Sequence, residues 1–190
     1  MRPEPALGAA PGGDPDLPAV AAAQADRAAF AVLYRRYLDR VYAYAFYQLG
    51  DHHDAEDATA RTFADALRGL ASFRPNGSSF RAWLFTVAHH TIANVHRHRA
   101  RRRTVPLPDD FDRSAPNADP ARMLDRADRL RTVMAAVRSL PDDRRQVVLL
   151  RFVEGLSSAE IGDVLGRSPG AVRVLLHRAL RDLGSRIADE

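Results

Sequence analysis

Five side chains near the end of the sequence have the chemistry of a nucleic-acid contact. They recur at intervals of three and four residues, which places them on one face of a helix: Arg173, Val174, His177, Arg178 and Arg181. A guanidinium group binds phosphate oxygens and forms paired hydrogen bonds with the edge of guanine. This basic face therefore predicts binding to nucleic acid. The alternative is a helical hairpin whose arginine face is simply solvated.

The residues around the basic face carry the start and stop signals of two short helices. Ser157 and Glu160 have the spacing of a capping box, which predicts the start of the first helix. Gly166 is expected to end that helix in the left-handed conformation. Ser168 is the predicted cap of the second helix, and Pro169 takes its first position. Together these signals predict a helix-turn-helix whose second helix enters the major groove of DNA.

The other faces of these two helices are apolar and predict a shared core. The positions with helical spacing are Ile161, Val164 and Leu165 in the first helix and Val172, Leu175, Leu176, Ala179, Leu180, Leu183 and Ile187 in the second. Burying these residues would leave the basic face outside.

The composition narrows the classes of protein that fit. All 28 basic residues are arginines, against 24 acidic residues, which favours a nucleic-acid partner, although a GC-rich genome would also favour arginine over lysine. The absence of cysteine excludes a disulfide framework, a thiolate zinc site and a cysteine nucleophile. We find no signal-peptide pattern and no apolar run of about 20 residues, so we expect a cytoplasmic protein without membrane insertion.

The pattern predicts an all-α fold with two small helical domains joined by a flexible linker. Residues 1–25 are rich in Pro, Gly and Ala, and we expect a disordered tail there. Residues 26–103 hold three amphipathic helices. Residues 104–122 are rich in Pro and Asp and read as a linker. Residues 123–190 form the second domain, with a predicted continuous helix from Asp142 to Val153 before the helix-turn-helix.

Three motif blocks occur in a fixed order along the chain. They are DAEDATARTF (54–63), FRAWLFTVAHHTIANVHRHRARR (80–102) and SLPDDRRQVVLLRFVEGLSSAEIGDVLGRSPGAVRVLLHRAL (139–180). Over residues 26–187 the chain resembles the extracytoplasmic-function (ECF) group of bacterial sigma-70 factors, which have only regions 2 and 4. The resemblance implies an RNA polymerase sigma factor that directs promoter-specific initiation. Region 4 would read the −35 element, while region 2 would melt and capture the −10 element.

The resemblance assigns a polymerase-binding surface to the second helix of region 2. The matching residues are Asp54, Glu56, Asp57, Arg61 and Phe63. Acids at a helix start can also be simple caps, and for Asp54 both readings stay open. Ala60 and Arg61 stand where family members usually have Gln-Glu. We therefore expect a weaker polymerase contact, or one rebuilt on Arg61.

The resemblance also assigns the −10 contacts to a loop, to the helix after it and to the basic end of that helix. The residues are Phe73, Arg74, Asn76, Gly77, Ser78, Ser79, His89, His90, Arg97 and Arg101. The loop is one residue longer than the usual form, and His89-His90 replaces a usual Arg-Asn, so the preferred −10 sequence should differ. Trp83 could be a base wedge, but its spacing with Phe80, Leu84 and Val87 favours a core position.

On the −35 side, the resemblance implies contacts from Arg167, Ser168 and the basic face. Arg173, Val174, His177 and Arg178 should lie closest to base edges. Arg167 and Arg181 should instead position the helix on phosphates.

The partners implied are core RNA polymerase, through the largest-subunit clamp and the flap region, promoter DNA, and an anti-sigma factor. Bound to polymerase, the protein would be associated with the nucleoid. We expect no enzymatic activity, no cofactor and no metal. His53-Asp54 superficially resembles a metal-dependent HD phosphohydrolase, but the other ligands are not evident. The remaining alternative is a dimeric helix-turn-helix transcriptional regulator without sigma activity, which would leave residues 26–103 without a role.

Overall fold

The computed structural model describes residues 13–75, 78–102 and 133–188, and within them the fold is all-α, as predicted. The helices are α1 (Leu17–Ala25), α2 (Phe30–Leu49), α3 (His52–Gly69), α4 (Phe80–Arg102), α5 (133–138), α6 (Asp142–Val148), α7 (Ser158–Leu165) and α8 (Pro169–Ala188). Single 3₁₀ turns, Arg27–Ala29 and Leu70–Ser72, precede α2 and follow α3. The predicted linker, 104–122, lies outside the described residues.

Helices α2, α3 and α4 form the centre of the N-terminal half. Gly50 ends α2 at φ 73° in the left-handed region, and Asp51 caps α3 by accepting a hydrogen bond from the Asp54 amide at 2.8 Å. The buried face of α3 carries small side chains, among them Ala55 and Ala58, which are fully buried. Small side chains let the larger groups of α2 and α4 close over this helix without voids.

The predicted disorder of residues 1–25 is wrong for its last third, because residues 17–25 form α1. Val20 and Ala23 are buried in the common core. Asp16, just before the helix, is also buried, where it accepts a hydrogen bond from Tyr37 Oη and pairs with Arg36. These anchors offset the entropy cost of ordering a segment with few large apolar residues. Residues 1–12 lie outside the described residues.

The C-terminal half contains the predicted helix-turn-helix. Ser157 and Glu160 form the reciprocal capping box, and Gly166 ends α7 at φ 63°. Ser168 Oγ accepts a hydrogen bond from the Ala171 amide at 3.2 Å, which confirms it as the cap of α8. Ion pairing between Arg144 and Asp182 ties α8 to α6. The turn and the orientation of α8 are therefore specified mainly by neighbours in the chain.

Two details of this half differ from the sequence prediction. The helix expected from Asp142 to Val153 is α-helical only to Val148 and continues as a π-helical turn, Leu149–Val153. The wider turn lets Leu149 and Leu150 both face the core. Leu180, expected on the buried face of α8, is 48% exposed because it falls at the edge of the apolar stripe.

Candidate nucleic-acid interface

The basic face of α8 is presented to solvent as predicted. All five of its side chains are exposed, including Val174, which is 49% exposed although it is apolar. An apolar side chain beside arginines on an exposed helix suits contact with a thymine methyl group. On the opposite face Val172 and Ala179 are fully buried and fix the rotation of the helix. Arg167 and Ser168, also exposed, lie at its N-terminal end.

The base-reading loop, residues 73–79, connects α3 to α4. Phe73 is only 5% exposed, because its ring packs against Phe80 and Trp83 at centroid distances of 5.8 and 5.1 Å. Its ring is therefore part of the core rather than a free base platform, which corrects the −10 contact expected for its side chain. Arg74 is exposed, and its Nη1 donates to the carbonyls of Ala71 and Phe73. Asn76 and Gly77 lie outside the described residues.

The far end of the base-reading loop has polar side chains with partners. Ser79 Oγ accepts a hydrogen bond from the Ala82 amide at 3.2 Å, which caps α4, and it donates to Glu160 of α7. Ser78 is half-buried. Of the loop side chains described, only Arg74 and Pro75 are exposed.

Helix α4 carries the remaining −10 candidates. His90 is exposed, whereas His89 is half-buried, and burial, followed by the neighbouring His90, lowers the pKa of His89. The structure keeps Trp83 half-buried against Phe73 and Phe80, which agrees with the core position favoured by its spacing.

The arginines at the end of α4 do not all face outward. Arg97 and Arg101 are exposed and available to phosphate. Arg99 is not equivalent to them, because its Nε donates to Asp54 Oδ2 at 2.5 Å and its Nη1 donates to the carbonyl of Leu49 at 2.8 Å. The pair ties the end of α4 to the start of α3.

The predicted polymerase-binding residues separate into two groups. Glu56, Asp57 and Arg61 are exposed on α3. Asp54 is neither a free acid nor the cap, since Asp51 caps α3 and Asp54 pairs with Arg99. Phe63 is 5% exposed and packs edge-on against Tyr34, so its ring belongs to the core. This position corrects the sequence prediction, which places Phe63 on an open docking surface.

The two halves contact each other through α4 and α7, next to the turn before α7. Glu154, in that turn, is 1% exposed, and Arg40 Nη2 lies 2.8 Å from its Oε2. Neither carboxylate oxygen has a well-aligned hydrogen bond, so the pairing compensates the lost hydration only in part. Burial therefore raises the pKa of Glu154 to about 7, against the opposing effects of Arg40 and Arg81.

Some of these residues gave no sequence signal. Glu154 precedes a glycine in an ordinary polar turn, and its partner Arg40 is far away in the chain. Glu160 was predicted only as a local cap, yet it also accepts a hydrogen bond from Ser79 in the base-reading loop. A periodicity argument cannot find such pairs because it uses only near neighbours.

The fold and these surfaces define a class: an all-α protein with an exposed helix-turn-helix face and a second helical bundle that carries a short polar loop and exposed arginines. Within this chain, residues 33–103 match the model of sigma-70 region 2, and residues 130–183 match that of sigma-70 region 4. The chain is 36% identical over 169 residues to the ECF RNA polymerase sigma factor BldN of Streptomyces coelicolor, covering 88% of this chain and 64% of that protein.

Two further similarities extend over most of the chain. It is 35% identical over 182 residues to the ECF RNA polymerase sigma factor SigE of Mycolicibacterium smegmatis, covering 94% of this chain and 70% of that protein. The solved structure of CnrH in complex with the cytosolic domain of CnrY matches with a TM-score of 0.67 at 25% identity, covering 93% of this chain and 99% of that one. The chain belongs to the ECF group of the sigma-70 family. It spans about two thirds of the length of BldN and SigE.

Among the described residues, none of the helices is both long enough and apolar enough to cross a bilayer.

Proposed function

We propose that the protein is a cytoplasmic RNA polymerase sigma factor that directs promoter-specific initiation. The observation that carries this proposal is the presence of two unlike nucleic-acid surfaces in one chain. One is the exposed basic face of α8, and the other is the polar loop and arginine-bearing end of α4. A duplex-binding regulator would need only the first.

The C-terminal half supplies the duplex contact. Arg173, Val174, His177 and Arg178 project from a helix fixed by its caps and its buried face, so they can enter the major groove of the −35 element as a unit. Arg167 and Arg181 lie at the margins and bind phosphates.

The N-terminal half supplies the single-strand contact. A base that leaves the stack needs a polar pocket or a stacking surface, together with positive charge for the backbone. Arg74 of the base-reading loop and His90 are exposed and would contact bases, while Arg97 and Arg101, further along the same helix, would bind phosphates.

The arrangement of the two halves must change before both surfaces can be used on one promoter. Elements centred at −35 and −10 are separated by roughly 85 Å of duplex at 3.4 Å per base pair. The contact between α4 and α7 holds the halves side by side, with Ser79 bonded to Glu160. Residues 103–132, at about 3.3 Å per residue when extended, are long enough to span the required distance.

Binding to core polymerase is the step expected to separate the halves. Glu56, Asp57 and Arg61 form an exposed charged surface on α3 that would bind the polymerase clamp, and region 4 would bind the flap. The arrangement in which α4 and α7 are in contact is the closed arrangement. We also propose an anti-sigma partner that favours it. Support comes from membership of the ECF group and from the similarity to CnrH, which is solved in complex with the cytosolic domain of CnrY.

Transcription with purified core polymerase tests the proposal. Core polymerase plus the protein would transcribe genomic DNA fragments, and the 5′ ends of the transcripts would be sequenced. We expect discrete start sites that share two upstream elements. If the protein binds duplex DNA as a dimer but yields no specific starts with core polymerase, it is a helix-turn-helix regulator and the sigma assignment is wrong.

A further inference from the structure

Helix α1 and the residues just before it lie against the base-reading loop, and two of their side chains, Asp14 and Gln24, contact the two ends of that loop. This segment was expected to be disordered, and it contains none of the residues assigned to DNA or polymerase. Its contacts therefore indicate a role that the family motifs do not provide.

Gln24 contacts the entry to the base-reading loop. Its Nε2 donates to the carbonyl of Leu70 at 2.8 Å and to the carbonyl of Phe73 at 3.1 Å. These carbonyls flank the 3₁₀ turn from which the loop departs. One side-chain amide thus fixes the direction in which the chain leaves α3.

Asp14 contacts the exit from the loop. Its Oδ2 accepts a hydrogen bond from the amide of Phe80, the first residue of α4, at 2.6 Å. Amides in the first turn of a helix have no partner within the helix. Asp14 therefore serves as a cap from a distant part of the chain, alongside the local cap Ser79.

The segment that holds Asp14 and Gln24 is itself fixed to the core. Asp16 is buried and bonded to Tyr37, and Val20 and Ala23 are 3% exposed. Asp14 Oδ1 also accepts from the amide of Asp16 at 3.0 Å, which couples the two acids. The support is rigid, so the loop ends are held relative to the whole α2–α4 bundle.

We propose that the segment from Asp14 to Gln24 positions the base-reading loop for the −10 strand, with Gln24 and Asp14 as positioning residues. The inference rests on the proposed function. A loop whose ends are already fixed loses less conformational entropy when it contacts an unstacked base, so it binds more tightly.

Gln24→Ala tests the proposal with two independent readouts. The first is the affinity of the protein bound to core polymerase for a single-stranded DNA oligonucleotide that this wild-type complex enriches from a pool of random sequence. We expect binding to weaken about five- to tenfold, the effect of losing one or two hydrogen bonds. The second is acrylamide quenching of Trp83, the single tryptophan of the chain, which packs against Phe73. We expect quenching to increase without DNA present.

Three further variants separate positioning from general destabilisation. Asp26→Ala removes a hydrogen bond just after this segment, the one accepted from the Ala28 amide, without touching the loop, and it should leave both readouts unchanged. Gln24→Lys keeps a donor for the two carbonyls and should keep Trp83 quenching close to that of the wild type. Asp14→Ala should increase Trp83 quenching as Gln24→Ala does.

The outcomes distinguish this inference from the proposed function. If Gln24→Ala changes neither quenching nor affinity, the loop does not depend on α1 and the inference is overturned. If the wild-type protein bound to core polymerase enriches no sequence from the pool, base capture by region 2 is wrong. Quenching of Trp83 then still decides whether the N-terminal segment positions the loop.

Discussion

The two DNA-facing surfaces of the protein are built in opposite ways. The basic face of α8 is exposed and is oriented by contacts within the C-terminal half, chiefly the capping box of α7 and the left-handed Gly166. The base-reading loop is held by residues far away in the chain, because Gln24, Asp14 and Glu160 each contact it or its ends. The first surface is complete within its own half, whereas the second depends on neighbours.

This difference suits two different tasks. A duplex presents a regular groove, which a preformed helix can enter as a rigid body. A melted strand offers its bases only after unstacking, so its receptor gains from being covered until the promoter is bound. In the closed arrangement Ser79 is occupied by Glu160, while the arginines of α8 stay exposed. In the proposed function, the surface for the −35 element is therefore accessible before the surface for the −10 element is.

The largest effect expected is on the closed arrangement and its dependence on pH. Burial in the docked arrangement raises the pKa of Glu154 from its ordinary 4.5 to about 7, and we expect the pKa to fall back towards 4.5 when the halves separate. Well below pH 4.5 Glu154 is protonated in both forms and does not oppose docking. As the pH rises from about 4.5 to about 7, Glu154 loses its proton first in the undocked form. The free energy of docking therefore becomes less favourable by roughly 3 kcal/mol, and it changes little at higher pH.

Fluorescence energy transfer between the two halves measures this change. The chain has no cysteine, so Ala22→Cys and Gly184→Cys introduce one labelling site in each half, both at exposed positions. Transfer should fall between about pH 4.5 and about pH 7, and Glu154→Gln should remove most of the fall. Burial raises the pKa of Glu160, but hydrogen bonds from Ser79 and Ser157 outweigh it, so the net shift of the pKa is downward. Ionisation of Glu160 therefore favours docking, and it does so at a lower pH than the effect of Glu154. An unchanged pH profile in Glu154→Gln would contradict the assignment.

The same contrast explains how much could be predicted from the sequence. Caps, the turn glycine and helical periodicity act over a few residues, so the helix-turn-helix and its basic face were predicted correctly. The supports of the base-reading loop were not found, because Gln24 and Phe73 are separated by 49 positions. Phe63 and Phe73 were assigned to surfaces by family motif, but a motif does not distinguish an aromatic ring that binds a partner from one that packs inward.

The next largest effect is expected for Arg173→Ala, which should weaken binding to the −35 element. If Arg173 pairs with a guanine, its loss costs about 1 to 3 kcal/mol at one base position and relaxes selectivity there. Arg181→Ala is the matched control, because a phosphate contact should weaken binding to all promoters alike and reduce the dependence on salt. Binding to a panel of single-base variants of the −35 element measures both. Uniform loss in Arg173→Ala would place that residue on phosphate instead.

Gly166→Ala should destabilise the C-terminal half while leaving the base-reading loop intact. A residue with a Cβ at φ 63° costs about 1 to 2 kcal/mol, although there is open space around the position. Gly184→Ala is the control, since Gly184 lies within α8 with no atom near its added Cβ and should stabilise by roughly 0.5 to 1 kcal/mol. Thermal unfolding followed by circular dichroism should show opposite shifts. Equal shifts would mean that the turn is not held by local conformation.

The smallest effect is expected on the affinity of α3 for core polymerase, whose binding competes with the closed arrangement. Ala60 is exposed on α3 beside Arg61, at the two positions where the family resemblance leads us to expect Gln-Glu. Ala60→Gln adds a side chain that can both donate and accept a hydrogen bond, and should strengthen binding to core polymerase by about 0.5 to 1.5 kcal/mol, the net value of one bond. Ala64→Gln, at an exposed position one helical turn further along, controls for added bulk. Titration of labelled protein with core polymerase measures the affinity. Because polymerase binding and closure oppose each other, a tighter polymerase contact should also lower the energy transfer at a fixed polymerase concentration. Unchanged affinity would contradict the prediction that Ala60 weakens the polymerase contact.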